Sequence, residues 1–479
     1  MKYLLIFLLS IIIFSCNTKE SNNNNTDKST INIDDSTDNI NKTEQSNTDD
    51  KDNKSNNSSI NTNETEETTY YSYTDKEIIA FIESGDFQTI KKLIESKSLD
   101  VNYNLGDEYS KSTPLIQAIK YKQTDIINYL LENNADINLK EELTGFTPLM
   151  ASFHDITITE LLIEKGADIE AKDDYGINAL VYASSDENEE MVKFLLEKGA
   201  DANTVCEIEN EHIDISPTPL MNAVYNGNTN IINMLLENGA DINYTTDEMT
   251  PLIYAAYKGN TNIINTLLEN GVDINYTNYY GMTALMYAAS YNKFEAVKIL
   301  LENNADISIT DEDGDTALMN AANNGNTNII NTLLENGVDI NYTNYYGMTA
   351  LMYAASYNKF EAVKILLENN ADISITDEDG DTALMNAANN GNTNIINMLL
   401  ENGADINYTN YYGMTALMYA ANSIYAARSN QFEAVKILLE NNADTSITDE
   451  DGRTALDMAK SKDNRKYNKD IVKLLEKYN

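Results

Sequence analysis

Residues 271–336 return as residues 337–402 with a single change, Thr332 against Met398, and a third, partial copy begins at Gly403. Each 66-residue block reads as two units of 33. A chain that repeats itself at this period folds as a stack of small units, not as a globule around one core. Such a stack presents a long surface and needs no enclosed pocket, so binding is the first function to consider.

The shared anchor is a Thr-Pro-Leu or Thr-Ala-Leu step. It begins at Thr113, Thr147, Thr218, Thr250, Thr283, Thr316, Thr349, Thr382, Thr415 and Thr454, with Asn178 replacing Thr once. From Thr250 to Thr415 the spacing is an unbroken 33, except that no two neighbouring units are identical. Within one unit Thr283 is placed to cap a short helix through its hydroxyl. Ala288 and Ala289 are small enough for a neighbouring helix to approach closely. Phe294, Val297, Leu300 and Leu301 then fall on one face of a second helix, with Glu295, Lys298 and Glu302 on the other. Asn304 stands where a left-handed residue must end that helix, a place held by Gly271, Gly337 and Gly403 in other units. The polar, turn-rich segment between units predicts a projecting hairpin. No unit can bury its own apolar stripe, so each relies on its neighbour.

Gly281, Thr283, Leu285, Ala288, Ala289, Leu300, Leu301, Ala305, Asp306 and Ile307 together resemble the ankyrin repeat. The resemblance runs from about Thr74 to the C-terminus. It implies an all-α solenoid of about twelve helix–turn–helix units over residues 74–479, with projecting loops and atypical first and last units. Asp75 to Asn104 lacks the Thr-Pro-Leu step. The last unit carries Lys460, Lys462, Arg465, Lys466, Lys469, Lys473 and Lys477 as a polar outer face. Two insertions break the period, at 204–216 and 422–428. The second is expected to extend the first helix of its unit or the turn after it. Each reads equally as a surface feature or as drift in a loop.

The N-terminus carries a second message. Met1-Lys2 precedes an apolar run from Tyr3 to Phe14, too short to span a bilayer comfortably. A basic start, short apolar middle and small residue before the cut define a secretory signal over 1–15. Ile13-Phe14-Ser15-Cys16 resembles a bacterial lipobox, with Phe14 departing from the usual small residue. That resemblance implies a lipidated Cys16 and a place in the bacterial cell envelope; an ordinary signal peptide and an uncleaved anchor are the alternatives. Residues 16–73 are Asn, Ser, Thr, Asp, Lys and Glu with almost nothing to bury, which predicts a disordered tether. Such a chain reaches on the order of 40 Å.

Charge narrows the partners. The balance of 33 basic and 76 acidic residues is −43. A nucleic-acid binder must neutralise phosphates, so that class is excluded. Adsorption on anionic lipid is disfavoured too, which leaves a covalent lipid as the membrane link. The same charge steers basic partners inward and keeps the chain soluble and monomeric.

Catalytic equipment is sparse. There are two His, two Cys and no Trp. No spacing fits zinc, no cofactor motif is present, and no nucleophile stands with a base. His154 reads as a surface or packed side chain. Cys206, Glu207, Glu209, Glu211, His212 and Asp214 form either a metal cluster or a solvated acidic loop. Asp311-Glu312-Asp313-Gly314-Asp315, repeated at Asp377–Asp381, has the carboxylates that suit calcium. Its glycine comes too early for a calcium loop and no distal Glu follows, so a structural turn is the competing reading.

The remaining signal lies where ankyrin repeats vary and meet partners. One set is Tyr279, Tyr280, Met282, Ser290 and Tyr291, repeated as Tyr345, Tyr346, Met348, Ser356 and Tyr357, and again as Tyr411, Tyr412 and Met414. The other is Glu312, Asp313, Asp315, Asn323 and Asn324, repeated as Glu378, Asp379, Asp381, Asn389 and Asn390. The tips are thus expected to alternate aromatic and acidic along the concave face, about 10 Å apart. Tyr with Ser and Asn is binding-surface chemistry, since Tyr gives contact area at low entropy cost. The opposing reading is a duplicated, inert surface with Tyr packed on the next hairpin. The expected function is a non-enzymatic, lipid-anchored scaffold for a protein with a basic surface. A calcium-responsive envelope protein, a secreted effector that binds a foreign protein and a purely architectural spacer are the rivals.

Overall fold

The computed structural model describes residues 71–107, 110–206, 218–245, 249–422, 428–461 and 469–478. The signal segment, Cys16 and the tether up to residue 70 lie outside them. So do Glu207, Glu209, Glu211, His212, Asp214, Lys462, Arg465 and Lys466.

The Thr step does what its chemistry requires. In each unit from Thr113 onward its backbone is extended and its hydroxyl accepts the N–H three residues on, as in Met286 N to Thr283 Oγ1 at 3.3 Å and Met319 N to Thr316 Oγ1 at 3.3 Å. Asn178 serves the same end, accepting from Val181 N at 3.1 Å. The opening unit has the device without the motif: Thr74 and Glu77 form a reciprocal capping box, which satisfies two orphan helix donors. Tyr71 and Tyr73, inside the stretch read as tether, touch that unit. Tyr71 N donates to Ser98 Oγ, and the Tyr73 ring meets Phe81 edge-on at 5.2 Å.

Among the described residues twenty-four helices follow, in twelve pairs. A short first helix, such as Ala284–Ser290, is followed by a nine-residue second helix, such as Phe294–Glu302. First helices pack on first helices and second on second along the chain. Ala288 and Ala289 are fully buried at that contact, as are Val297 and Leu300 between the rows. Phe294 and Leu301 are only half-buried, and Ala296 takes the interior place instead. One continuous apolar core runs from Ile78 to Leu475. Asn134, Asn304, Asn370 and Asn442 all have φ near +64°, the left-handed conformation that Asn tolerates best after Gly.

The architecture is predominantly helical but not wholly so. Leu105–Asp107 pairs antiparallel with Ser110–Ser112, and Thr376 bridges Thr382. Residues 423–427 of the second insertion lie outside the described residues. The first helix of its unit is described over Ala416–Asn422, and the second, Arg428–Glu440, has 13 residues against the nine of Phe294–Glu302. Arg428 to Gln431 therefore add a turn to the front of the second helix. No helix among the described residues is long and apolar enough to cross a membrane.

Candidate functional site

The first residue of each inter-unit tip organises the turn. Asn278 Oδ1 accepts from Tyr280 N and Met282 N at 3.1 and 2.9 Å. Asp311 Oδ1 does the same for Asp313 N and Asp315 N at 3.1 and 2.8 Å, and Asp377 repeats it. These carboxylates hold their own loop. Among the described residues no three His, Cys, Asp or Glu side chains stand together as a metal-ion site.

Successive tips are joined through the backbone. Glu312 N donates to Tyr280 O at 3.0 Å, Tyr345 N to Asp313 O at 3.1 Å and Glu378 N to Tyr346 O at 2.9 Å. Tyr411 N to Asp379 O and Glu450 N to Tyr412 O continue the series. The tip glycines permit this approach. Gly314 has φ +81°, and a Cβ there would stand 2.9 Å from Tyr345 N and 3.1 Å from its ring.

The expected contact residues divide into two groups. Asp315 and Asp381 face inward. Asp315 accepts from Asn344 Nδ2 at 2.7 Å and from the Tyr353 hydroxyl at 2.9 Å; Asp381 has Asn410 at 2.6 Å and Tyr419 at 2.7 Å. Burial pushes both carboxyls above their ordinary range, although these hydrogen bonds pull the other way. Asp313 and Asp379 accept from the hydroxyls of Tyr346 and Tyr412 at 3.0 and 2.8 Å. Met282 and Met348 lie half-buried against the core. These side chains tie one unit to the next. The outward group is Tyr279, Tyr345 and Tyr411, exposed to 69, 69 and 67 %, with Glu312 and Glu378 exposed between them. Tyr280 is exposed and edge-on to Tyr279 at 5.4 Å.

Tyr291 and Tyr357 are exposed as well, but they follow the C-terminal end of the first helix. One short helix, about 10 Å, separates them from the tips. The two groups form separate strips.

Sequence reasoning missed Asn344, Tyr353, Asn410 and Tyr419. Their signal was the co-alternation of Asp315 with a tyrosine 38 residues on, repeated at Asp381 and Tyr419. It also missed Tyr225, Tyr254 and Tyr257 on the first helices Pro219–Asn226 and Pro251–Lys258, which form an aromatic cluster with Tyr291 just past Ala284–Ser290. Tyr225 lies 5.7 Å from Tyr254, Tyr254 6.2 Å from Tyr257, and Tyr257 4.6 Å from Tyr291.

Two singled-out side chains have packed roles. Cys206 is fully buried beside Ile177 and Val181, and burial pushes its thiol up to about 12. It is no part of a solvated loop. His154 lies 3.4 Å from the Asp186 carboxylate and packs on Phe153 at 3.9 Å. Burial lowers its pKa against the pull of Asp186.

Family models described as ankyrin repeats match residues 74–141, 140–206, 203–278, 220–311, 285–377 and 369–424, and a further such model matches 424–476. The chain is an ankyrin-repeat protein. It is 32% identical to ankyrin repeat and SAM domain-containing protein 6 of Rattus norvegicus over 27% of this chain and 15% of the relative. An ankyrin repeat protein of fowlpox virus shares 34% identity over 29% of this chain and 40% of its own length. Ankyrin repeat and SOCS box protein 6 of Homo sapiens shares 31% over 25% and 33%. The chain thus spans well under half of each of these relatives. A 91-residue stretch is 37% identical to the glycerophosphocholine phosphodiesterase GDE1 of Candida albicans, covering 8% of that enzyme.

Proposed function

We propose that this ankyrin-repeat protein is a non-enzymatic scaffold that captures a protein with a basic surface. The observation that carries the reading is the outward row of Tyr279, Tyr345 and Tyr411, each about two-thirds exposed and 66 residues from the next. Large exposed aromatics on a rigid ladder are hot-spot material, since their contact area comes with few rotatable bonds. Glu312 and Glu378 between them supply the charge that attracts Lys and Arg. The net charge of −43 accelerates encounter with a cationic partner at low salt. The protein acts as a monomer, and its repeats are of a family that generally mediates protein–protein contact.

The lipobox-like Ile13-Phe14-Ser15-Cys16 and the polar stretch behind it support an anchored array in a bacterial envelope, held by lipid on Cys16. A Cys16→Ala chain is expected to leave the membrane fraction and to lack the acyl mass on its mature N-terminus. Retention of the variant in membranes would remove the anchor.

The tip reading is tested by replacing Tyr279, Tyr345 and Tyr411 together with Ala. In-cell crosslinking identifies the stoichiometric partner, which is then purified. The triple variant is expected to bind it at least about a hundredfold more weakly, as the loss of two hot spots entails, with unchanged helix content. Unchanged affinity, or a partner with an acidic surface, sinks the proposal.

A further inference from the structure

The seven first helices from Pro219 to Asn422 contain one charged residue, Lys258. In a chain with 76 carboxylates, that row of neutral Tyr, Asn, Ser and Ala is a surface of its own. Lys258 ends the helix Pro251–Lys258. Its ammonium lies 5.4 Å from the centre of the Tyr254 ring and 5.1 Å from that of Tyr257. Among the described residues no carboxylate pairs with it.

Beside it is an open cavity of about 350 Å³ lined by Val224, Tyr225, Tyr254, Ala255, Lys258 and Asn260. Tyr254 is its buried floor and Tyr225, 70% exposed, its rim. Asn260 spends its carbonyl on Ile263 N, and its amide nitrogen lies toward Gly227. The walls are apolar and aromatic on one side and donate hydrogen bonds on the other. No other unit repeats this set: the residue corresponding to Lys258 is Tyr291 in the next unit and Asn324 in the one after.

We propose that this cavity binds the C-terminal residue of a polypeptide, its apolar or aromatic side chain laid against the touching Tyr225 and Tyr254 rings and its free carboxylate on Lys258. Lys258 hydrogen-bonds Tyr254 but has no carboxylate partner among the described residues, and an apolar wall next to such a cation asks for an apolar group and an anion on the same carbon, which a chain terminus supplies. Charge-assisted contact with the exposed Lys258 ammonium favours the carboxylate over an amide. The inference rests on the protein-binding reading and adds what the tips lack. Because residues 271–336 and 337–402 are near-identical, a partner that reads only tips binds equally well two units along, about 20 Å away. A site present once gives the complex a single register, as isolated polar residues do in coiled coils.

The chain has no Trp, so a Trp-bearing probe reports its own fluorescence. N-acetyltryptophan is titrated into the full chain in physiological salt, where the screening length is about 8 Å and the negative field is damped. Saturable binding is expected, at least about tenfold tighter than for N-acetyltryptophanamide. Lys258→Gln is expected to abolish that preference, and Tyr225→Ala to weaken both probes. Replacing the three tip tyrosines is expected to leave probe binding intact. No saturable binding, equal binding of acid and amide, a preference that survives in Lys258→Gln, or competition by acetate as effective as by the aromatic acid each overturns the proposal. Tip-dependent partner capture is read separately, so either proposal can fail alone.

Discussion

At the scale of single residues, backbone geometry and close approach can be told apart by two glycines. Gly337 ends a second helix with φ +83° and nothing within 4 Å of where a Cβ would stand. Gly337→Ala is expected to cost only the left-handed backbone penalty, about 1 kcal/mol. Gly314 has a similar φ, but its Cβ would meet Tyr345 N of the next tip at 2.9 Å. Gly314→Ala is therefore expected to cost distinctly more, about 2–3 kcal/mol, by urea denaturation of both variants; equal losses would mean the tips can part freely. Asp315 offers a second contrast. Asp315→Ala strands Asn344 and Tyr353 and is expected to cost about 1–3 kcal/mol. Asp315→Asn keeps an acceptor for Asn344, offers Tyr353 a donor and removes a charge that burial penalises, so it is expected to be near-neutral or stabilising. Asp315 also shows the limit of sequence reading. Its composition pattern matched that of Glu312 and Asp313, three and two residues away, but Glu312 joins the ladder through its backbone N–H and leaves its side chain exposed, while Asp315 is turned toward the next unit's first helix. Side-chain direction at a tight turn is set by which backbone N–H groups the turn leaves inward, and a list of variable positions does not carry that.

At the scale of elements, the 66-residue period is physical, because the two kinds of unit make two kinds of junction. From a Tyr-tipped unit to an Asp-tipped one, Asn275 Oδ1 accepts from Asp306 N at 2.8 Å. Across the same junction Asn326 Nδ2 reaches back to Ala289 O at 2.6 Å, satisfying an orphan carbonyl of the earlier helix. In the next junction Ser308 replaces that Asn and Lys359 replaces Asn326, with the Lys359 stem laid against Gly325. The Asp315–Asn344–Tyr353 cluster supplies the polar link there instead. Helix pairs, caps, the small-residue contact and the left-handed asparagines were all legible from residue type and spacing, since each is a local rule. Which polar group bonds across a junction was not, because it depends on two units at once. Asn326→Ala is expected to cost about 1–3 kcal/mol, and Lys359→Ala, whose loss is mainly of packing, under about 1 kcal/mol. Thr316→Ala, which removes a cap without touching a junction, is expected to cost about 1 kcal/mol. Equal effects of Asn326→Ala and Lys359→Ala on the thermal midpoint would argue that the junctions do not differ.

At the scale of the whole molecule, acidity should stabilise this protein before it harms it. Burial holds Asp173, Asp311, Asp315, Asp377 and Asp381 above the ordinary value of 3.8. A group whose folded pKa is raised binds more protons folded than unfolded. Its contribution is complete below the unfolded value and is lost as pH rises through the folded one. Hydrogen bonds do the reverse for Asp306, Asp372 and Asp444, each held low chiefly by the hydroxyl and then the backbone N–H of the serine two residues on. Those contributions are present above the ordinary value and vanish as pH falls below it. Between the two sets lies a window just above the ordinary carboxylate range, in which the buried aspartates bind more protons folded than unfolded while the hydrogen-bonded ones keep their charge. Net charge acts in the same direction, since protonation relieves the self-repulsion of a chain at −43. The midpoint of helix loss is expected to rise from pH 7.5 to about pH 5 and to fall again in stronger acid. Added salt separates the two causes. It screens surface repulsion but scarcely reaches half-buried groups, so at high ionic strength the acid gain should shrink without vanishing, and Asp315→Asn combined with Asp381→Asn should remove much of what is left. A gain that salt erases entirely would assign the effect to net charge alone and leave the buried aspartates without a part in it.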